Sequence, residues 1–178
     1  SGTDTLNALN VANAWTLDGI SSQLLSSGRV IGFDGSVEVL NGGSGVDVFE
    51  IVGTESGTLN GGTGIDVLHF AEGASLSGSF DGGLGTDSLS FNGNTTGRSI
   101  FLTGLGSTDG FAGNAAGGTF DNVNTVIGGN VTDSLTGLNT SANWSVDAVN
   151  STYTSTNSLI FSAIENLIGG SGADIFSL

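Results

Sequence analysis

Four aspartates occupy the same place in four copies of one phrase, and no other residues in this chain are better arranged to bind something. Asp47 follows Gly42-Gly43-Ser44-Gly45, Asp66 follows Gly61-Gly62-Thr63-Gly64, Asp87 follows Gly82-Gly83-Leu84-Gly85, and Asp174 follows Gly169-Gly170-Ser171-Gly172. Glycine at three of four positions lets the backbone take positive φ and points carbonyl oxygens inward with no Cβ in the way. Two such turns stacked one strand apart bring carboxylates and carbonyls around one point. That all-oxygen cage suits a hard divalent cation, Ca²⁺ before Mg²⁺ because it is irregular and rich in backbone oxygens. The candidate ligands are Asp47, Asp66, Asp87 and Asp174, with the turn glycines Gly43, Gly45, Gly62 and Gly64. Without a counter-ion, carboxylates this close repel by roughly several kcal/mol at low dielectric. The same residues have a second use, in which each Asp caps its own turn by accepting backbone N–H bonds while Asn41, Asn60 and Asp81 form a parallel polar ladder.

The rest of the composition agrees with a cation. Seventeen acidic residues face two basic ones, Arg29 and Arg98, for a formal charge of -15. Nucleic acid is thereby excluded as a partner, since binding it requires Lys and Arg to neutralise phosphates. No apolar run approaches the ~18 residues of a membrane span and no signal-peptide pattern is present, so membrane insertion is not expected. The absence of Cys fits an extracellular or cell-surface protein held by metal or stacking instead of disulfides. A chain with no Met reads as part of a longer polypeptide.

Positioning these turns requires a repeating element. Measured by the turn Asp, the steps from Asp47 to Asp66 to Asp87 are 19 and 21, and weaker copies at Asp109 and Asp133 continue at 22 and 24. Asp4 and Asp174 lie two steps outside. Short apolar alternations follow each turn, glycine is too frequent for helix, and only 20–25 has tolerable helical spacing. The expected fold is all-β, a parallel β-solenoid of β-roll or β-helix type with about nine rungs of roughly 20 residues. Around Arg29 and Asn157 the beat demands a turn but offers no carboxylate, so those rungs are expected to close with Ser, Gly or Asn alone.

A longer repeat overlies the short one. Residues 3–18 align without a gap on 132–147, at an offset of 129, and Val37-Glu38-Val39-Leu40 aligns on Ile164-Glu165-Asn166-Leu167 at an offset of 127. One continuous segment, 1–178, thus divides into a full unit, 1–129, and a partial second copy, 130–178, and residues beyond Leu178 are expected to resemble 52–70. Trp15 and Trp144 correspond and are expected to fill the core.

The four glycine phrases resemble the Gly-Gly-x-Gly-x-Asp-x-apolar-x nonapeptide of the RTX (repeats-in-toxin) family. The resemblance implies a parallel β-roll that binds Ca²⁺ between stacked turns in proteins secreted by bacteria. It covers about a third of the chain directly. Two departures limit it. The phrase recurs at the longer solenoid beat instead of at every ninth position, which places it on one edge only, and Asp109 and Asp133 lack the full Gly-Gly-x-Gly phrase before them.

Catalysis is not expected. His69 is the only histidine, there is no Lys or Cys, and no acid cluster with a basic partner emerges. Thr152-Tyr153-Thr154-Ser155-Thr156 alternates threonine as an ice-binding strand would, but its counterpart at 21–25 does not. Five Asn-x-Ser/Thr sequons occur, at Asn94, Asn130, Asn139, Asn143 and Asn150. Together these readings point to a structural module of a secreted bacterial surface protein, a fibre, sheath or adhesin stalk rigidified by calcium. The alternatives are a calcium-dependent secretion and folding module of a larger enzyme or toxin, and a carbohydrate-active solenoid. Neither end carries a charged or Pro-bearing cap, so end-to-end self-association into a filament is expected. A carbohydrate partner is the other possibility.

Overall fold

Short alternating segments broken every few residues by Gly, Ser or Asn leave no room for a helix. The computed structural model describes residues 2–147 and 150–178, and among these every regular element is a β-strand. The first are β1 (Thr5–Asn7), β2 (Asn13–Leu17), β3 (Ser22–Ser26), β4 (Arg29–Phe33), β5 (Val39–Gly45) and β6 (Asp47–Ile51). Then follow β7 (Thr54–Glu55), β8 (Thr58–Gly64), β9 (Val67–Phe70), β10 (Ser75–Leu76), β11 (Ser79–Gly85), β12 (Ser88–Ser90), β13 (Ser99–Leu105), β14 (Phe111–Ala115), β15 (Gly118–Val123) and β16 (Thr125–Ile127). The last are β17 (Ser134–Thr136), β18 (Ala142–Ser145), β19 (Ser151–Thr154), β20 (Ser158–Ser162), β21 (Asn166–Ile168) and β22 (Asp174–Ser177).

Two large sheets result. One has nine strands in the order β1-β5-β8-β11-β15-β14-β13-β17-β21, the other eleven in the order β22-β18-β19-β20-β16-β12-β9-β6-β2-β3-β4, and β7 pairs with β10 at a corner. The chain steps from one sheet to the other and back, so strands that meet in a sheet are mostly parallel and come from different passes. Residues of like character fall beside each other. Leu40, Leu59, Phe80 and Phe120 form a row in the first sheet, and Trp15, Phe49, Leu68, Leu89, Val126 and Phe161 form one in the second. All ten are buried. At about 1.5–3 kcal/mol for each large apolar side chain removed from water, these rows are the main source of stability.

The beat of the glycine turns holds over part of the chain only. Val39 pairs with Thr58 and Thr58 with Ser79, which reproduces the steps of 19 and 21 between the turn aspartates. Elsewhere antiparallel hairpins intervene, joining β2-β3-β4, β13-β14-β15 and β18-β19-β20, and the parallel step grows to 34 between Thr5 and Val39 and 40 between Ser79 and Thr119. The turns near Arg29 and Asn157 do close without a carboxylate, but as hairpin turns and not as rungs. Ser27 and Gly28 have φ of 50° and 74°, the two positive values of a type I′ turn, whose twist matches antiparallel strands. Asp109 likewise lies in the connection between β13 and β14 and is no rung turn. The N-terminal end is also different from expectation, since the β3–β4 hairpin, which carries Arg29, extends one sheet two strands past β2.

The two tryptophans make matching contacts. Phe49 stacks on Trp15 at 5.5 Å and 9°, and Phe176 stacks on Trp144 at 5.3 Å and 11°. Phe33 meets Trp15 edge-on at 6.1 Å, and Phe161 meets Trp144 edge-on at 5.9 Å. Both indoles are 1% exposed and are core packing, as their correspondence predicts.

Candidate functional site

The site is built where β5, β8 and β11 turn into β6, β9 and β12. Each of these three strands carries the glycine phrase to its end, and parallel pairing sets Gly43 beside Gly62 and Gly83, and Gly45 beside Gly64 and Gly85. All six have positive φ, from 90° to 148°, which side chains rarely tolerate. The next residue but one in each phrase is the aspartate. Asp47, Asp66 and Asp87 therefore stack in one file, and all three are fully buried.

Hydrogen bonds run along this file and not within each turn. The backbone N–H of Asn13 donates to Oδ1 of Asp47 at 3.0 Å, that of Asp47 to Oδ1 of Asp66 at 2.8 Å, and that of Asp66 to Oδ1 of Asp87 at 2.8 Å. Asp87 N–H donates to Oδ1 of Asn124 at 2.8 Å, and Asn13 adds its Nδ2 to Asp47 at 2.6 Å. Three carboxylates are thus bracketed by two neutral amides. Each Asp satisfies a neighbouring strand's donor, whereas the sequence suggested a cap on its own turn. A shorter polar ladder runs parallel to it, with Asn41 Nδ2 donating to Asn7 Oδ1 and Asn60 Nδ2 to Asn41 Oδ1.

The second carboxylate oxygens are the chemically open part. Oδ2 of Asp47, Asp66 and Asp87 is buried and has no hydrogen-bond partner. A Cβ placed on Gly42 would collide with Asp47 Oδ2 and stand 2.7 Å from the Gly61 carbonyl oxygen; one on Gly61 would meet Asp66 Oδ2 and the Gly82 carbonyl in the same way. Two acceptors therefore lie against each of these glycines, and Oδ2 takes no hydrogen bond from any protein donor there, so a proton, a water or a cation is the group that would satisfy it. Burial raises the Asp66 carboxyl to about 7, with a contribution from the charges of Asp87 and Asp47, although the Asp47 N–H bond opposes it. Burial likewise raises Asp87 to about 6 against the Asp66 N–H bond, with Asp109 and Asp81 adding to the rise. Asp47 is raised by burial, against its bonds from Asn13.

These oxygens fit a hard cation: Oδ2 of Asp47 and of Asp66 each lies by a glycine carbonyl, and Oδ2 of Asp87 by the Asn122 carbonyl. Among the described residues no three acidic or histidine side chains gather around one point, so such an ion would take much of its shell from carbonyls. Asp174 is not brought to this file. It lies on β22, the end strand of its sheet, beside Ala142. Ala142 stands where Asn13 stands in the first copy and offers no side-chain amide, and Asp174 Oδ1 is buried without a partner.

Sequence reasoning missed a second, shorter relay. Arg98 N–H donates to Oδ1 of Asp133 at 2.5 Å and Asp133 N–H to Glu165 Oε2 at 2.9 Å; in the first copy Asp4 N–H donates to Glu38 Oε2 at 2.8 Å. The correspondence of Glu38 with Glu165 was the signal available. His69 has Nδ1 3.9 Å from Glu50 and Nε2 3.2 Å from the Asn92 carbonyl oxygen, and Ser90 is its register partner on β12. Comparison with protein-family models, curated proteins and solved structures gives no match for this chain.

Proposed function

We propose that the chain is a parallel β-solenoid serving as a rigid structural module of a secreted bacterial surface protein, with Ca²⁺ at the Asp47–Asp66–Asp87 edge. The observation that carries this reading is the file of three buried carboxylates whose Oδ2 atoms face carbonyl oxygens with no donor. Asp47, Asp66 and Asp87 would hold the ion together with backbone oxygens of the glycine turns. The ion supplies positive charge where neighbouring acids repel, and so stiffens that edge. Parallel sheets whose apolar rows run from pass to pass support the solenoid itself, since no single pass buries its own core. Sheets that end in open strands leave main-chain groups free to pair, which supports extension of the rod by a further strand–turn–strand pass. The resemblance of the glycine phrases to RTX repeats supports calcium and an extracellular location.

Scanning calorimetry at pH 7.5 in Ca²⁺ and in chelator tests it, combined with negative-stain imaging. Calcium is expected to raise the melting temperature and give straight, rod-like particles. Equal melting in both buffers together with no calcium uptake on titration would sink the calcium part, and compact, non-elongated particles would sink the solenoid.

A further inference from the structure

The molecule contains one strand pair twice, once covered and once open. The pair β21–β22 corresponds to β5–β6 at an offset of 127. In the first copy Leu40 and Phe49 are 1% and 0% exposed, because β8 sets Leu59 beside Leu40 and β9 sets Leu68 beside Phe49. In the second, Leu167 is only partly buried and Phe176, at Phe49's place, is 48% exposed. β21 and β22 are the end strands of the two sheets. The bond that Asp47 N–H gives to Asp66 has no counterpart at Asp174 among the described residues. At Gly42 the cradle is completed by a carbonyl from β8, whereas at Gly169 the nearest atoms all belong to Asp174.

We infer that the β21–β22 edge is a docking surface for a parallel strand–turn–strand segment with the chemistry of 58–70. That segment has one inward leucine on its first strand, a Gly-Gly-x-Gly turn, an aspartate to accept the Asp174 N–H, and an apolar residue to cover Phe176. Main-chain bonds along both edges would hold it, and the aspartate and apolar positions would select it. This rests on reading the chain as a stacked structural rod.

A second copy of the chain is the rival occupant, and the strand numbers count against its stacking head to tail. Stacking by translation extends both sheets equally, but one sheet has nine strands and the other eleven among the described residues. A copy whose β4 met β22 would leave its β1 two strand spacings, about 9.5 Å, short of β21. The internal repeat behaves differently. From β1 to β17 in one sheet, and from β2 to β18 in the other, the chain advances seven strand positions in each. A segment patterned on β8 and β9 therefore keeps both sheets in step.

The test uses the full chain with a synthetic peptide of the sequence 54–72, a control peptide with the Leu59 and Leu68 positions changed to Ser, and a chain extended after Leu178 by the same sequence. Hydrogen exchange at 166–168 and 174–177 is expected to slow about tenfold or more with the peptide and in the extended chain, and not with the control. Unchanged exchange in an extended chain that is otherwise folded overturns the inference. So does edge protection in the chain alone accompanied by sedimentation as dimers or larger species, which would assign the edge to a second copy. A calcium-stiffened rod whose 174–177 amides stay unprotected in the extended chain would sink this inference and leave the proposed function standing.

Discussion

Asp47 donates its backbone N–H to the Oδ1 of Asp66 at 2.8 Å, one strand further along the sheet, while Oδ2 of the same Asp66 faces carbonyl oxygen with no donor. One oxygen is structural and the other is free, so charge and hydrogen bonding can be separated by substitution. Asp66→Asn keeps the acceptor and removes the charge; it is expected to melt no lower than the parent in chelator at pH 8 and to lose most of the calcium response. Asp66→Ala removes both and leaves the Asp47 N–H buried without a partner, at a cost of about 1–3 kcal/mol. Urea unfolding of the two variants in chelator checks the order.

The pH dependence has a definite sign. Asp66 and Asp87 are raised to about 7 and about 6, and Asp47 is raised as well. A folded-state value above the unfolded one means that the native state holds the proton more tightly. The associated stability is fully present below the ordinary carboxylate range near 4 and is lost as pH rises through the folded values. In chelator the melting temperature should therefore fall between about pH 4 and pH 8, steepest around pH 5, between the unfolded and folded values, and should level off above about pH 7. With Ca²⁺ the fall should flatten or reverse, because the ion competes with the proton for the same oxygens. Calorimetry across that range in both buffers decides it; a profile that rises with pH in chelator would contradict the buried file.

Glycine substitution separates the cradle from ordinary loop positions. Gly61→Ala forces a methyl onto Asp66 Oδ2 and the Gly82 carbonyl, and should cost more than about 2 kcal/mol and abolish calcium binding. Gly104 has nothing within 4 Å of its would-be Cβ and no positive φ, so Gly104→Ala should stay within about 0.5 kcal/mol of the parent. Chemical denaturation of both, with unchanged m-values, makes the comparison.

The two equivalent phenylalanines should differ in worth. Phe49 is 0% exposed and Phe176 is 48% exposed, although each stacks on a tryptophan. Phe49→Ala should cost about 3–5 kcal/mol, and Phe176→Ala roughly half of that or less. Equal losses in urea would mean that the open edge is covered in solution.

Much of this was legible because alternation and glycine phrasing act locally. The phrases ending in Asp47, Asp66 and Asp87 specify three parallel passes in register, and the correspondence of Trp15 with Trp144 anticipates two matching aromatic clusters. The hairpins were not legible. Parallel and antiparallel strands share a period of two, so Gln23-Leu24-Leu25 reads the same in either direction. Ser27-Gly28 and Ala116-Gly117 look like any other glycine turn until their φ values are known. Asn13 and Asn124, which close the carboxylate file, stand beside no glycine phrase and gave no signal. Asp174 carries the full phrase yet lies outside the file, because position depends on which strand arrives next to it.

The bracketing of the file by Asn13 and Asn124 leaves an odd number of carboxylates in it. Asp47, Asp66 and Asp87 carry three negative charges when ionised, and divalent ions remove charge in twos. One ion leaves a single negative charge in the file, and a second leaves a surplus positive one. Neutrality is reached with one ion and one retained proton, so calcium uptake from the fully protonated file should expel two protons and not three. If calcium binds as proposed, the parity of a short row of aspartates would set the stoichiometry of exchange between metal and acid.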